Sequence, residues 1–277
     1  MFNAASLIAC RKAMTAFAAK AGAKLHGRSV WLIGQFNRRM EIIITIWLAL
    51  FMAAAIFRLA IARAPVHGPS DFIQLFLPYA LIALAPVLAY RLAIAAFPIG
   101  QPAARPSFHF YPFGTWRRLD ALDAQNHKVF GPTGFLASLI LGLLLNVVFR
   151  SFEFLLAVPA MNSHAPEWGV AIFRVMAFDV IAMNTLYAIC FVMALRSIPL
   201  FPKMLGLCWL LDITSQLVIA NYVSAAPQLP GEVAQALGQL LQGNVTKVLI
   251  SAGLWLPYLL LSDRVNVTYR MRGPVEE

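Results

Sequence analysis

Charge is scarce in this chain, and acid is scarcest of all. Twelve Asp and Glu and 22 Lys and Arg occur in 277 residues, so 12% of the chain is charged, about half the share of an ordinary soluble domain. Too little charge is present to cover a water-facing surface of that size. Cysteine is nearly absent, with only Cys10, Cys190 and Cys208, and none falls in an extracytoplasmic connection, so no disulfide framework is implied. The five histidines, at 26, 67, 109, 127 and 164, are scattered, with no two at zinc-ligand spacing. A Ser–His–Asp arrangement and a phosphate-cradling Gly loop are both missing, which argues against an enzyme.

Apolar residues, by contrast, make up 60% of the chain. They gather in six long runs almost free of charge: residues 42–62, 72–97, 133–158, 170–195, 204–223 and 246–262. A helix needs about 20 mostly apolar residues to cross a bilayer core. Backbone amides find no water there, so a spanning chain is helical or a closed barrel, and these runs are too long and continuous for barrel strands. The expected fold is all-α: a polytopic helical membrane bundle of about six transmembrane helices, with an N-terminal amphipathic helix.

The net charge of +10 is informative through its placement. Basic residues collect in residues 1–40, in the connection 98–132, in the turn 196–203 and in the tail, while 63–71, 159–169 and 224–245 hold only Arg63 among them. Cytoplasmic segments are enriched in Lys and Arg, so both termini are expected in the cytoplasm. No secretory signal is expected, because the opening residues carry no basic start. Leu7-Ile8-Ala9-Cys10 matches a lipoprotein cleavage box only superficially, lacking that start and a longer apolar core.

The organisation expected is a basic amphipathic arm at 1–40, a two-helix membrane extension at 41–98, a cytoplasmic loop at 99–130, and a four-helix core with a short tail at 131–277. In the arm, Arg11, Lys12, Lys20, Lys24 and Arg28 face no acid and suit anionic lipid headgroups. A nucleic-acid role is not needed to explain that charge, because the adjoining span already does. In the loop, four prolines forbid a regular helix in the first half, and Phe108, Phe110, Tyr111, Phe113 and Trp116 suit the headgroup level. A short helix is expected from Thr115 to Phe130. It would put Asp120, Asp123 and His127 on one face, the only metal-like spacing in the chain, and more readily an ordinary solvated face that offsets Arg117, Arg118 and Lys128. Residues 231–243 read as a separate amphipathic helix on the outer leaflet.

Charge inside the apolar runs is costly, so its position is the best functional clue. Arg150, Glu153, Arg174, Asp179 and Asp212 form the candidate polar cluster. Arg150 is expected to pair with Asp179, or Glu153 with Arg174, across adjacent helices. Asp212 shares a helix face with Ser215 and Gln216 and has no cation nearby in sequence. The cluster reads either as a set of interhelical clasps or as an ion path. No catalytic residue, metal or cofactor is assigned.

The end of the membrane part carries Pro257-Tyr258, then Ser262, Arg264-Val265 and Thr268-Tyr269. This resembles the C-terminal signature of a bacterial inner-membrane family known as domain of unknown function 2569. Pro202-Lys203 ahead of Trp209-Leu210-Leu211 resembles that family's turn into its third helix, and Gly131–Leu141 its Gly-rich entry to the first. The resemblance covers residues 131–269, about half the chain. It implies a four-helix membrane protein of the bacterial inner membrane with no established activity. The two preceding spans and the arm are departures from it. The function expected is a non-enzymatic accessory or structural membrane component binding lipid or a membrane-protein partner. The rivals are a small ion-coupled carrier and a membrane-embedded lipid-modifying enzyme.

Overall fold

The computed structural model describes residues 4–61, 68–98, 116–225 and 228–274, with residues 4–21, Ala23 and Pro274 described by backbone alone. The chain forms eight helices and one two-stranded sheet among these residues. Six helices are long and apolar enough to cross a membrane. They are α1 (Ala4–Ala60), α2 (Pro69–Ala96), α4 (Leu136–Ala157), α5 (Glu167–Leu195), α6 (Phe201–Ser224) and α7 (Gly231–Leu261). The protein is a helical membrane bundle, as its apolar runs require.

Helix starts follow local chemistry. Pro69 in α2 and Pro202 in α6 occupy the first turn, where a missing N–H costs nothing. Asp71, Glu167 and Glu232 sit in first turns and complement the positive helix end. Pro78, Pro86 and Pro257 lie inside helices, where each removes one ladder hydrogen bond.

Helix α5 is the axis of the bundle. It packs against α2, α4 and α6, and 61% of its spanning window is buried, against 11% for α1 and for α7. One core surrounds Phe191, Phe201 and Leu205 near the end of α5. A second surrounds Phe51, Tyr79, Phe154 and Phe173 toward its start. The two-helix extension joins the second core through aromatic contact, with Trp47 stacked on Phe51 at 5.1 Å and Phe51 edge-on to Phe152. Trp47 also donates its indole N–H to the Ala83 carbonyl at 3.0 Å, which ties α1 to α2.

Below the bundle, the chain before α4 meets the tail. Strand β1 (Trp116–Arg118) pairs antiparallel with β2 (Arg272–Pro274). Helices α3 (Ala121–Asn126) and α8 (Asp263–Arg270) flank this ribbon around Leu119, Ala124 and Val267. The tail is therefore buried structure: Tyr269 is 1% exposed and donates to the Ala194 carbonyl at 2.9 Å, and burial pushes its phenol well above the usual range. Thr268 accepts the Gly131 N–H at 3.0 Å, and Arg264 donates to Thr133 at 2.7 Å. Gly134 has φ +67°, and a Cβ there would stand 3.3 Å from the Arg264 guanidine nitrogen, so both backbone and space call for glycine.

Several boundaries differ from the expectations. The arm and first span form one continuous helix, since no proline falls between Ala4 and Ala60 to end it. The 231–243 segment likewise continues directly into the last span. The helix expected over 115–130 is instead a strand and a six-residue helix, because β2 recruits Trp116–Arg118 as a partner. Asp120 becomes the N-cap of α3 and His127 its C-cap, which removes the shared face. Among the described residues no group of His, Cys, Asp or Glu could hold a metal. Phe108, Phe110, Tyr111, Phe113, and the side chains of Arg11, Lys12 and Lys20, lie outside the described residues.

Candidate functional site

Helices α4, α5, α6 and α7 each lend polar side chains to one internal network. Arg150 enters from α4, one helical turn before Glu153. Its Nη2 donates to Asp179 on α5 at 2.6 Å, and its Nη1 donates to both oxygens of Asp212 on α6 at 2.9 Å. The three side chains are 10%, 9% and 1% exposed. Neutral donors bind the same two carboxylates. Ser215 donates to Asp179 at 2.6 Å and Gln216 at 3.1 Å, while the Tyr187 hydroxyl donates to Asp212 at 2.9 Å. Gln216 in turn accepts from Asn244 on α7 at 3.2 Å. A second bond joins α4 to α5, from Asn184 to the Ser151 hydroxyl at 2.8 Å. Of the buried polar atoms here, Arg150 Nε and Asn184 Oδ1 alone among the described residues lack a hydrogen-bond partner.

Physical necessity explains these extra donors. A buried ion pair recovers its desolvation cost only when geometry is good and surplus lone pairs are bonded. Here each carboxylate receives a guanidinium and at least one neutral donor. The set still counts one cation against two carboxylates, a formal charge of −1 with both acids ionised.

The remaining members of the expected cluster lie apart. Glu153 pairs with Lys247 on α7, and the two side chains are 40% and 56% exposed. Arg174 is exposed on α5, so the Glu153–Arg174 pairing is not formed. The five-residue step from Arg174 to Asp179 turns the helix by about 140°, at 3.6 residues per turn, so the two face different sides. Lys24 and Arg28 of the arm are exposed.

Three participants escaped the sequence reading. Tyr187 looked like one more apolar-run aromatic. Asn244 stood in the connection 224–245, just past the residues taken for a separate outer helix. Lys247 is the one lysine between residues 224 and 262, a signal that could have found it. The side chain of Lys247 reaches toward Asn244 Oδ1 at 3.5 Å, so polar contacts run from the half-exposed pair back to the buried carboxylates. A cavity of about 140 Å³ lies beside this path, lined by Asn146, Tyr187, Trp209, Lys247, Ser251 and Trp255.

Chemically, the arrangement can hold four helices in register, and it can take up one proton or cation against its surplus negative charge. It offers no activated nucleophile: Ser151 and Ser215 donate to a backbone carbonyl and to a carboxylate already bound to arginine. Cys190 and Cys208 lie side by side at 3.4 Å between Sγ atoms, both fully buried. Comparison with protein-family models, with curated proteins and with solved structures finds no match to this chain.

Proposed function

We propose that this is a non-enzymatic integral membrane component, an accessory protein that binds lipid or a membrane partner around a four-helix core clasped by Arg150. The observation that carries this reading is the enclosure of both carboxylates of the Arg150–Asp179–Asp212 network by donors from neighbouring helices. Each buried carboxylate is held by the guanidinium and by neutral donors from neighbouring helices, which is what a buried ionic clasp requires. Membership of the family of unknown function 2569, the bacterial inner membrane as compartment, and cytoplasmic termini belong to the same proposal, supported by the C-terminal motif and the basic bias of alternate connections. Labelling of a cysteine placed at Ser163 tests the orientation, with modification expected from the outer side only; modification from the cytoplasmic side only would reverse it.

One observation favours a second reading, an ion-coupled carrier. The clasp holds a surplus carboxylate, and its Tyr187 end borders the cavity lined by Lys247. Flux measured in proteoliposomes under a proton or cation gradient separates the two. The accessory reading expects no flux above protein-free vesicles. Flux that disappears in Asp179→Asn, in a protein that remains folded, would establish the carrier instead.

A further inference from the structure

We propose that the cleft where α4 begins and α7 ends binds a phospholipid with a primary-amine headgroup, its phosphate held by Arg264 and its ammonium by Asp263. This names a lipid class for the lipid-binding reading above and rests on it. The cleft has a volume of about 630 Å³ and is lined by α1 at Gly22 and His26, by the entry to α4 at Gly134 and Phe135, and by the α7–α8 junction around Ser262. At roughly 30 Å³ per water-sized group, that is room for about 20 such groups, enough for a phosphoethanolamine headgroup and its glycerol. The lining elements are tied together: the Ser29 hydroxyl on α1 accepts the Gly134 N–H at 2.7 Å and donates to the His26 carbonyl at 2.7 Å. The C-terminal residues singled out in the sequence, Pro257, Tyr258, Ser262 and Arg264, all line this cleft, and the clasp uses none of them.

Charge of both signs lines the cleft. The Arg264 guanidinium lies against Gly134, with Nε 3.3 Å from the place a Cβ would take there, and commits Nη1 to Thr133 at 2.7 Å. That bond fixes the guanidinium at the cleft and leaves its other N–H groups for an oxyanion. Asp263 is exposed and, among the described residues, forms no ion pair, even with the arginine beside it. An adjacent acid and base that do not neutralise each other present one charge each to a ligand. His26 adds a ring N–H. One guanidinium balanced by one carboxylate disfavours a purely anionic headgroup and fits a zwitterion. A primary ammonium donates hydrogen bonds to a carboxylate, whereas a trimethylated one has none to give, so phosphoethanolamine suits the site better than phosphocholine. Position selects a lipid over a free zwitterion. Phe135, edge-on to Tyr258 at 5.1 Å and 43% exposed, supplies an apolar rim. Leu261 lines the cleft, and Leu254 lies seven residues earlier on the same face of α7. Both are more than half exposed, which gives acyl chains an apolar track leading away from the cleft.

The test places the full chain in nanodiscs of phosphatidylcholine with minorities of phosphatidylethanolamine and phosphatidylglycerol, then counts retained lipids by native mass spectrometry. The wild-type protein is expected to enrich phosphatidylethanolamine over both others. Asp263→Asn keeps the size of an exposed side chain and should lower the enrichment over phosphatidylcholine about two- to fivefold, the range of an exposed charge pair. At Gly22 an added Cβ meets no atom within 4 Å, so Gly22→Trp should fill the cleft and abolish the enrichment while leaving every charge of the arm in place. Millimolar free phosphoethanolamine should not displace the retained lipid; displacement would assign the site to a soluble zwitterion instead. Lipid retained with no preference for the amine headgroup, or a preference unmoved in either variant when folded, would overturn this site alone. Wild-type protein that retains no lipid of any class would overturn the lipid-binding reading itself.

Discussion

Arg150 and Glu153 stand one turn apart on the same helix, yet they meet opposite fates. Arg150 points into the bundle, where two carboxylates enclose it and its side chain is 10% exposed. Glu153 points toward α7, where Lys247 meets it and both remain about half exposed. Depth adds to direction: Glu153 is four residues, about 6 Å, from the end of α4, and Arg150 about 10 Å, at 1.5 Å per residue. The outer pair lies within reach of headgroup water by snorkelling. The inner set has no such escape and must be satisfied by protein alone. Charge near the edge of a bundle is thus tolerated, while charge one turn deeper demands an entire network.

That contrast can be broken in order of severity. Arg150→Leu is expected to be worst, because it leaves Asp179 and Asp212 buried without their cation; the loss in detergent should be about 3–5 kcal/mol, read as a large fall in Tm. Lys247→Met removes a partner from a half-exposed acid, so the cost should stay near or below 1 kcal/mol; a loss as large as that of Arg150→Leu would erase the distinction drawn here. Away from charge altogether, Trp47→Phe keeps the stack on Phe51 but deletes the bond to Ala83, and should cost about 1 kcal/mol by the same melting assay. Tyr269→Phe removes the bond to Ala194 under the bundle, with an effect of similar size. Its buried phenol adds a pH dependence of known sign. With the folded-state value raised, its contribution is complete below the unfolded value of about 10 and is lost as pH rises beyond it. Wild type should therefore melt earlier with rising pH in that range, and Tyr269→Phe should show a shallower decline.

The six helices were legible because hydrocarbon thickness sets a length that apolar runs must meet, and no tertiary context can disguise it. The Arg150–Asp179 contact lay within the sequence reading because few charges occur in the runs and opposite signs attract. The partner of Asp212 was not legible, since sequence gives the face of a helix but not which neighbour that face meets. Lys247 was missed for a related reason. The last span was started at residue 246, which put the lysine at a supposed helix end, whereas α7 extends upstream to Gly231 and carries it beside α4. The polar segment after Leu261 read only as a short cytoplasmic tail. Its burial depends on pairing with Trp116–Arg118, about 150 residues earlier in the chain, and no local periodicity reports a contact of that range.

The measurement that bears most directly on the clasp is a comparison of Arg150→Met alone with the uncharged triple variant Arg150→Met, Asp179→Asn and Asp212→Asn, by thermal unfolding of the full chain in one detergent. If the network is a clasp whose members matter through mutual neutralisation, the triple variant should be markedly more stable than the single one and approach the wild type. A triple variant no more stable than Arg150→Met would contradict the account.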